Sequence, residues 1–332
     1  MAAPDGARPR AIRLRAYAKV NLGLRVLGRR PDGYHDIHTL LQTVSLFDSL
    51  TVVLRPGPAG VELSCDDPGL QGEANLAWRA ADLLLRRTCS AARVSIELRK
   101  AVPVGAGLGG GSSDAAATLR ALAEMLPQRP REGQLAEVAA ELGSDVPFFL
   151  LGGTAVASGR GTRLSPLEDL PPAWLAIARP PVEVSTAWAY GALAADRSRG
   201  AGGSNAKMQV GPLGPGPTAG SAHIPALRND FEPVVLRHFP CIAEVKSRLL
   251  AAGARGALMT GTGSAVFGAF DSRELARAAA RDLCEAGVSA WPACYVGRVA
   301  STGPLSAMGS PETADGTATV GRPSTGGGIR VD

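Results

Sequence analysis

Apolar residues recur along this chain with two different periods, and the switching between them predicts a mixed α and β protein. Residues 11–28 alternate as a strand or a hairpin, and 50–55 (LTVVLR) read as another strand. Leu76, Ala80, Leu83 and Leu84 fall at helical spacing within 73–87, after which Val94, Ile96 and Leu98 mark a half-buried strand. Ala115, Leu119, Leu122 and Leu126 share one helix face, closed by Pro127, which has no N–H to donate and clashes with the preceding turn. Leu135, Val138, Ala139 and Leu142 predict a further helix, with Gly143 just past its end where a left-handed cap is wanted. Strands are expected at 146–151, 154–158 and 174–179. LMTGTGSAVFGAF (258–270) reads as two strands about a glycine turn, and Asp271 with Glu274 predicts a capping box for a helix to about residue 286.

Where periodicity fades, composition takes over. Residues 197–225 are rich in Gly, Pro and Ser, which predicts a long loop or inserted segment, and from Ser301 onward almost no core residues remain, which predicts a disordered tail. The expected organisation is a flexible tail at 1–10, a first domain at 11–160, a second at 161–299 carrying the insertion, and a disordered tail at 300–332.

Within 332 residues, 45% hydrophobic and 20% charged content reads as an ordinary globular protein. Its longest apolar runs, such as 146–151, fall well short of the roughly 20 residues that cross a bilayer. No signal-peptide pattern opens the chain, so the expectation is a cytoplasmic protein with no membrane partner. Five scattered cysteines with no CxxC spacing indicate neither a disulfide framework nor a zinc site. The net charge of +5 is mild and aromatic residues make up only 5% of the chain, which leaves no stacking platform for nucleic acid. The basic excess sits near the start, where eight Lys and Arg before residue 31 are opposed by Asp5 alone. That suits an anionic small molecule or a solvated face.

The chemistry concentrates at PVGAGLGGGSSDA (103–115), between the strand at 94–98 and the helix that starts near Ala115. Glycines let a backbone approach a bulky anion and turn its N–H groups inward, and the following helix N-terminus adds unpaired donors and partial positive charge; phosphate fits. Gly105, Gly107 and Gly110 satisfy GxGxxG, but Pro103 interrupts the strand-to-turn junction and no acidic residue ends a strand about 20 residues later, so a dinucleotide fold is disfavoured. A Walker loop needs GK[ST], and here Ser112 follows Gly111 with no lysine in the loop. A plain flexible linker is also disfavoured, because the loop runs straight into a patterned helix with Ser112, Ser113 and Asp114 placed to cap it.

This loop resembles the phosphate-binding motif of the GHMP kinases. AYAKVNLGL (16–24) resembles the family's N-terminal motif and LMTGTGSAVFG (258–268) its C-terminal glycine motif. Together with RRPDGYHDIHTL (29–40) and GSDVPFFL (143–150), they are similar to the family's branch that acts on diphosphocytidyl methylerythritol. The resemblance runs from about residue 11 to 299. It implies an α+β fold of two lobes with the active site in the cleft between them. The implied activity is transfer of the γ-phosphate of ATP, carried with Mg2+, to the 2-hydroxyl of that substrate on a route to isoprenoids. A homoserine or mevalonate kinase is the alternative, against which DGYH speaks. A non-catalytic nucleotide sensor is a second, against which the retained Lys19 and Asp145 speak.

By the same resemblance Asp145 is the catalytic base, and Lys19 offers a point charge to the acceptor oxygen while favouring the ionised form of Asp145. Asn21, two residues on, shares the strand face of Lys19 and so belongs to the same site. Gly107, Gly109, Gly110, Gly111, Ser112 and Ser113 supply the phosphate cradle, with Pro103, Gly105 and Leu108 in the same motif. Either Ser112 or Ser113 is placed to reach a phosphate or its metal. Tyr34 and His35 match the positions that stack on and hydrogen-bond to cytosine, Tyr190 the opposing aromatic platform, and Thr186 a nearby polar contact. Gly261 and Gly263 shape the site. His35 and His38 have no Cys or acidic partner at ligand spacing, so no resident metal is expected. A monomer or a homodimer fits equally.

Overall fold

The computed structural model describes residues 9–131, 133–198 and 228–302. The expected insertion at 197–225 lies outside them from residue 199 on, as do the first eight residues and the tail from 303, while Arg197 and Ser198 are helical rather than part of a loop.

Strand β1 (Arg10–Arg29) and strand β2 (His35–Pro56) form one long antiparallel hairpin, so the alternation at 11–28 belongs to a single strand whose partner follows it. The turn between them is set by Gly33 at φ +85° and by Asp32, whose carboxylate accepts the Tyr34 N–H and the Arg30 guanidinium. Around this hairpin grow β3 (Gly60–Cys65), α1 (Leu76–Arg87), β4 (Ala92–Arg99), α2 (Gly110–Met125), α3 (Gln134–Leu142), α4 (Val146–Leu151), β5 (Thr154–Gly159) and β6 (Arg163–Pro166). The sheet runs β3-β4-β2-β1 with β5 on β2 and β6 on β5, so it continues past the expected boundary at 160 to Pro166. Helices α1 to α4 bury their apolar stripes on one of its faces, around Leu84, Leu119, Leu122 and Phe148.

The second half contributes β7 (Trp174–Arg179), α5 (Thr186–Ser198), β8 (Arg228–Asn229), α6 (Glu232–His238), α7 (Pro240–Ala251), β9 (Gly256–Met259), β10 (Val266–Phe270), α8 (Arg273–Glu285), β11 (Ser289–Cys294) and α9 (Arg298–Thr302). Its antiparallel sheet has the order β11-β7-β10-β9. Two-residue β8 crosses back and adds in parallel beside Gly23 and Leu24 of β1. A third core joins the halves, with Ala18, Val20, Leu22 and Leu40 packing against Leu175, Ile177 and Phe267. Strand β1 is therefore buried on both faces from Ala16 to Leu24, which is why its middle is apolar apart from Lys19 and Asn21.

Three local expectations are corrected. Residues 146–151 are a helix, not a strand: VPFFLL has no period to read, Pro147 sits in the first helical turn where its missing N–H costs nothing, and Gly152 at φ +68° ends the helix. Burial of Phe148 and Phe149 contributes about 1.5–3 kcal/mol each to holding it. Helix α8 is capped by Ser272, which accepts the Leu275 N–H, while Asp271 pairs with Arg255. Ser301 and Thr302, placed in the tail by composition, close the last helical turn, and Ser301 Oγ accepts the Gly153 N–H.

Candidate active site

The glycine loop enters left-handed backbone space three times, at Gly105 (φ +69°), Gly107 (+78°) and Gly109 (+74°). Gly109 is the N-cap of α2 and has no side chain to satisfy the first turn. The N–H groups of Gly110, Gly111 and Ser112 are thus left as open donors at the positive end of a 16-residue helix, an arrangement built for an anion. Ser112, Ser113 and Asp114 lie inside the helix and do not cap it. The Ser113 hydroxyl donates to the Tyr17 carbonyl at 2.7 Å and pins α2 to β1, whereas Ser112 is only half buried. Leu108 is buried and its carbonyl accepts the Lys19 N–H at 3.0 Å, while Pro103 is half buried where the chain enters the loop.

Two charged groups lie beside the loop. Lys19 is 4% exposed; its Nζ donates to Asn21 Oδ1 at 2.7 Å and lies 3.7 Å from Asp145 Oδ2. Asp145 precedes the first turn of α4 without capping it, and its side chain stays 42% exposed, so the carboxylate faces Lys19 and solvent together. The loop is tight against this pair. A Cβ at Gly109 would lie 2.7 Å from the Phe149 ring and 3.4 Å from Lys19 Cε.

Asn21 is held in turn by Thr39, whose hydroxyl accepts from Nδ2 at 2.8 Å, and by Thr260. The Thr260 hydroxyl accepts the Asn21 N–H at 3.0 Å and points its own hydrogen between Asn21 Oδ1 (3.1 Å) and the Gly107 carbonyl (3.3 Å). The C-terminal glycine turn thereby meets the glycine loop of 103–113: a Cβ at Gly261 would lie 3.2 Å from Gly107 Cα, and one at Gly263 2.8 Å from Met259 Sδ. Asn229 on β8 donates to the Met259 and Gly261 carbonyls and fixes that turn beside β1.

The aromatic residues expected to hold the cytosine lie together. His35 stacks directly on Tyr190, centroids 4.3 Å apart and planes 20° from parallel, which leaves no room for a ring between them. Tyr34 is 51% exposed, with the Arg160 guanidinium 3.8 Å from its ring centroid. Burial pushes the Tyr190 phenol up to about 12, and the charge of Asp145 adds to it, so α5 stands within electrostatic reach of Asp145. Burial, then the charges of Arg29 and Arg197, push the His35 imidazole below its ordinary value. Thr186 is exposed at the start of α5, its hydroxyl 3.3 Å from that of Thr262.

Residues 75–153 match the family described as GHMP kinases N terminal domain, and residues 221–289 that described as GHMP kinases C terminal. A 4-diphosphocytidyl-2-C-methyl-D-erythritol kinase from Geobacter sp. (strain M21) is 43% identical over 277 residues, which span 82% of this chain and 94% of that one. The chain belongs to the GHMP kinases, in the 4-diphosphocytidyl-2-C-methyl-D-erythritol kinase family. A crystal structure of a 4-(cytidine 5'-diphospho)-2C-methyl-D-erythritol kinase superposes on it with a TM-score of 0.68 at 38% identity, covering 86% of this chain and 100% of the other. Homoserine kinase from Cytophaga hutchinsonii shares the fold, with a TM-score of 0.62 at 20% identity over 89% of this chain and 97% of its own. The fold is therefore the α+β GHMP kinase fold that the motifs implied.

Sequence reasoning on this kinase missed Thr260, Thr39 and Asn229. Thr260 had a signal, since it sits inside the C-terminal glycine motif between Met259 and Gly261. Thr39 had the same kind of signal, as it lies inside RRPDGYHDIHTL (29–40), whereas Asn229 had none, because a buried polar residue outside any motif declares its role only through its partners.

Proposed function

We propose that the chain transfers the γ-phosphate of ATP to the 2-hydroxyl of 4-diphosphocytidyl-2-C-methyl-D-erythritol and so forms the 2-phosphate on the route to isoprenoids. The observation that carries the reading is the Lys19–Asp145 pair at 3.7 Å, set against a glycine loop whose helix N-terminus has no cap of its own. The open N–H groups of Gly110, Gly111 and Ser112 take the triphosphate oxygens and neutralise charge as the bond to the leaving phosphate lengthens. Asp145 Oδ2 accepts the proton of the attacking hydroxyl. Lys19 Nζ, anchored by Asn21 and 3.7 Å from that carboxylate, stabilises the developing alkoxide charge.

Mg2+ comes in on the triphosphate. Among the described residues no group of three or more His, Cys, Asp or Glu is placed to hold a metal by itself, while the half-buried Ser112 hydroxyl lies in the loop beside the phosphates. The exposed face of Tyr34 is the stacking surface for the cytosine ring, and His35, held neutral and stacked on Tyr190, offers a ring nitrogen to the base edge. Thr186 lies at the rim of the same cleft. In this reading the enzyme works in the cytoplasm as a monomer or homodimer, with a first lobe from about residue 11 that runs through β6 to Pro166 and a second that follows it to about 299.

The test is ATP turnover with the cytidyl substrate beside homoserine and mevalonate, for wild type and Asp145→Asn. Turnover with the cytidyl substrate alone, reduced about 10²–10⁴-fold in kcat by the substitution, is expected. Comparable turnover of another alcohol overturns the substrate, and a variant within a few-fold of wild type overturns the base.

A further inference from the structure

A second ionic cluster lies where the chain enters and leaves the glycine loop, and the chemistry above gives it no role. Lys100 immediately precedes the loop and Asp114 follows it in α2; Lys100 Nζ lies 2.6 Å from Asp114 Oδ2 and 2.5 Å from Asp48 Oδ2 on β2. The other oxygen of Asp48 accepts the N–H groups of Ala101 (2.6 Å) and Val102 (2.8 Å), the first residues of the loop approach. The bridge therefore ties both ends of the loop to one another and to the sheet. All three side chains are buried, and a Cβ at Gly110 would lie 3.3 Å from Asp48 Oδ2, so the cluster packs directly under the helix turn that offers its donors.

Two carboxylates around one ammonium leave a net negative charge beneath an anion site if all are ionised. Asp114 Oδ1 is buried and has no hydrogen-bond partner, which a carboxylate tolerates poorly. The nearby titratable groups are Asp66 at the end of β3, whose carboxylate accepts the Lys100 N–H, and the Cys65 thiol, which burial keeps protonated. Burial first, then the charge of Asp48, push the Asp114 acid up to about 8 against the pull of Lys100.

We propose that Asp48, Lys100 and Asp114 are positioning residues for the triphosphate: the bridge sets the loop, and Asp114 carries a proton when nucleotide is bound. Loss of that proton to solvent leaves the extra negative charge under the loop and weakens ATP binding. The proposal rests on reading residues 103–113 as the triphosphate site.

The experiment is the dissociation constant for MgATP by titration calorimetry, with KM for ATP and kcat beside it, between pH 6.5 and 9.5. The full chain and Asp114→Asn are compared, since the amide still accepts from Lys100 but cannot ionise. Wild type should lose about tenfold in affinity between pH 7 and pH 9 with little change in kcat, and Asp114→Asn should be flat while melting no lower than wild type. Parallel profiles for the two proteins, or a flat wild-type profile, overturn the proposal. Calorimetry separates it from the substrate reading: ATP binding without turnover of the cytidyl substrate sinks only that reading, and no ATP binding at pH 7 sinks both.

Discussion

Substituting Gly107 by Ala tests whether the contact between the two glycine turns sets the catalytic geometry. The residue sits at φ +78°, where an L side chain costs about 1–2 kcal/mol of backbone strain. The larger effect is steric. The new Cβ would stand 2.3 Å from the Thr260 carbonyl oxygen and 3.1 Å from its carbon, both backbone atoms that cannot rotate away. Since carbon–oxygen contacts settle near 3.3 Å, the two turns must part by roughly 1 Å. That movement breaks the 3.3 Å bond from Thr260 Oγ1 to the Gly107 carbonyl and loosens Asn21, on which Lys19 Nζ rests at 2.7 Å. A misplacement of roughly 1 Å costs about 10²-fold in rate, and that loss in kcat is expected here. Gly133→Ala is the control: it has nearly the same φ, +79°, with nothing within 4 Å of its Cβ, so it carries the strain without the clash. A coupled ATP-consumption assay and a thermal melt of both variants decide the matter. If Gly107→Ala keeps kcat/KM within threefold of wild type, or if Gly133→Ala loses as much, the coupling of the two turns is refuted.

Two further substitutions separate binding from scaffolding. Ser113→Ala removes the hydroxyl that satisfies the buried Tyr17 carbonyl and should cost about 1–3 kcal/mol in denaturant unfolding with KM for ATP unchanged, whereas a tenfold rise in that KM would place the hydroxyl on a phosphate. Tyr34→Ala should raise KM for the cytidyl substrate about 10- to 100-fold through lost stacking while leaving KM for ATP and kcat alone; unchanged KM for both substrates would remove Tyr34 from the base pocket.

Much of this protein was determined by its sequence. The helices at Leu76–Arg87 and Gly110–Met125 and the strand at Ala92–Arg99 announce themselves because burial repeats with the period of the element that buries. The glycine loop is legible for a related reason, since three left-handed residues in five leave glycine as the residue without strain. Lys19 and Asn21 share a face by the period of two alone, and the structure joins them at 2.7 Å. What the tertiary structure decided has no period. VPFFLL became a helix because its position after Asp145 and its burial against α2 outweigh a pattern that fits either element. Only as a helix does α4 set the Asp145 carboxylate 3.7 Å from Lys19, and only the third core brings Thr260 to Asn21, 239 positions away. The stack of His35 on Tyr190 is settled in the same way, as is the engagement of Ser113 and Asp114 within the fold instead of at a cap. Local pattern records which side of an element meets the core, but the pairing of polar groups across elements is settled by how the packed layers register, and that free energy resides in no single stretch of chain.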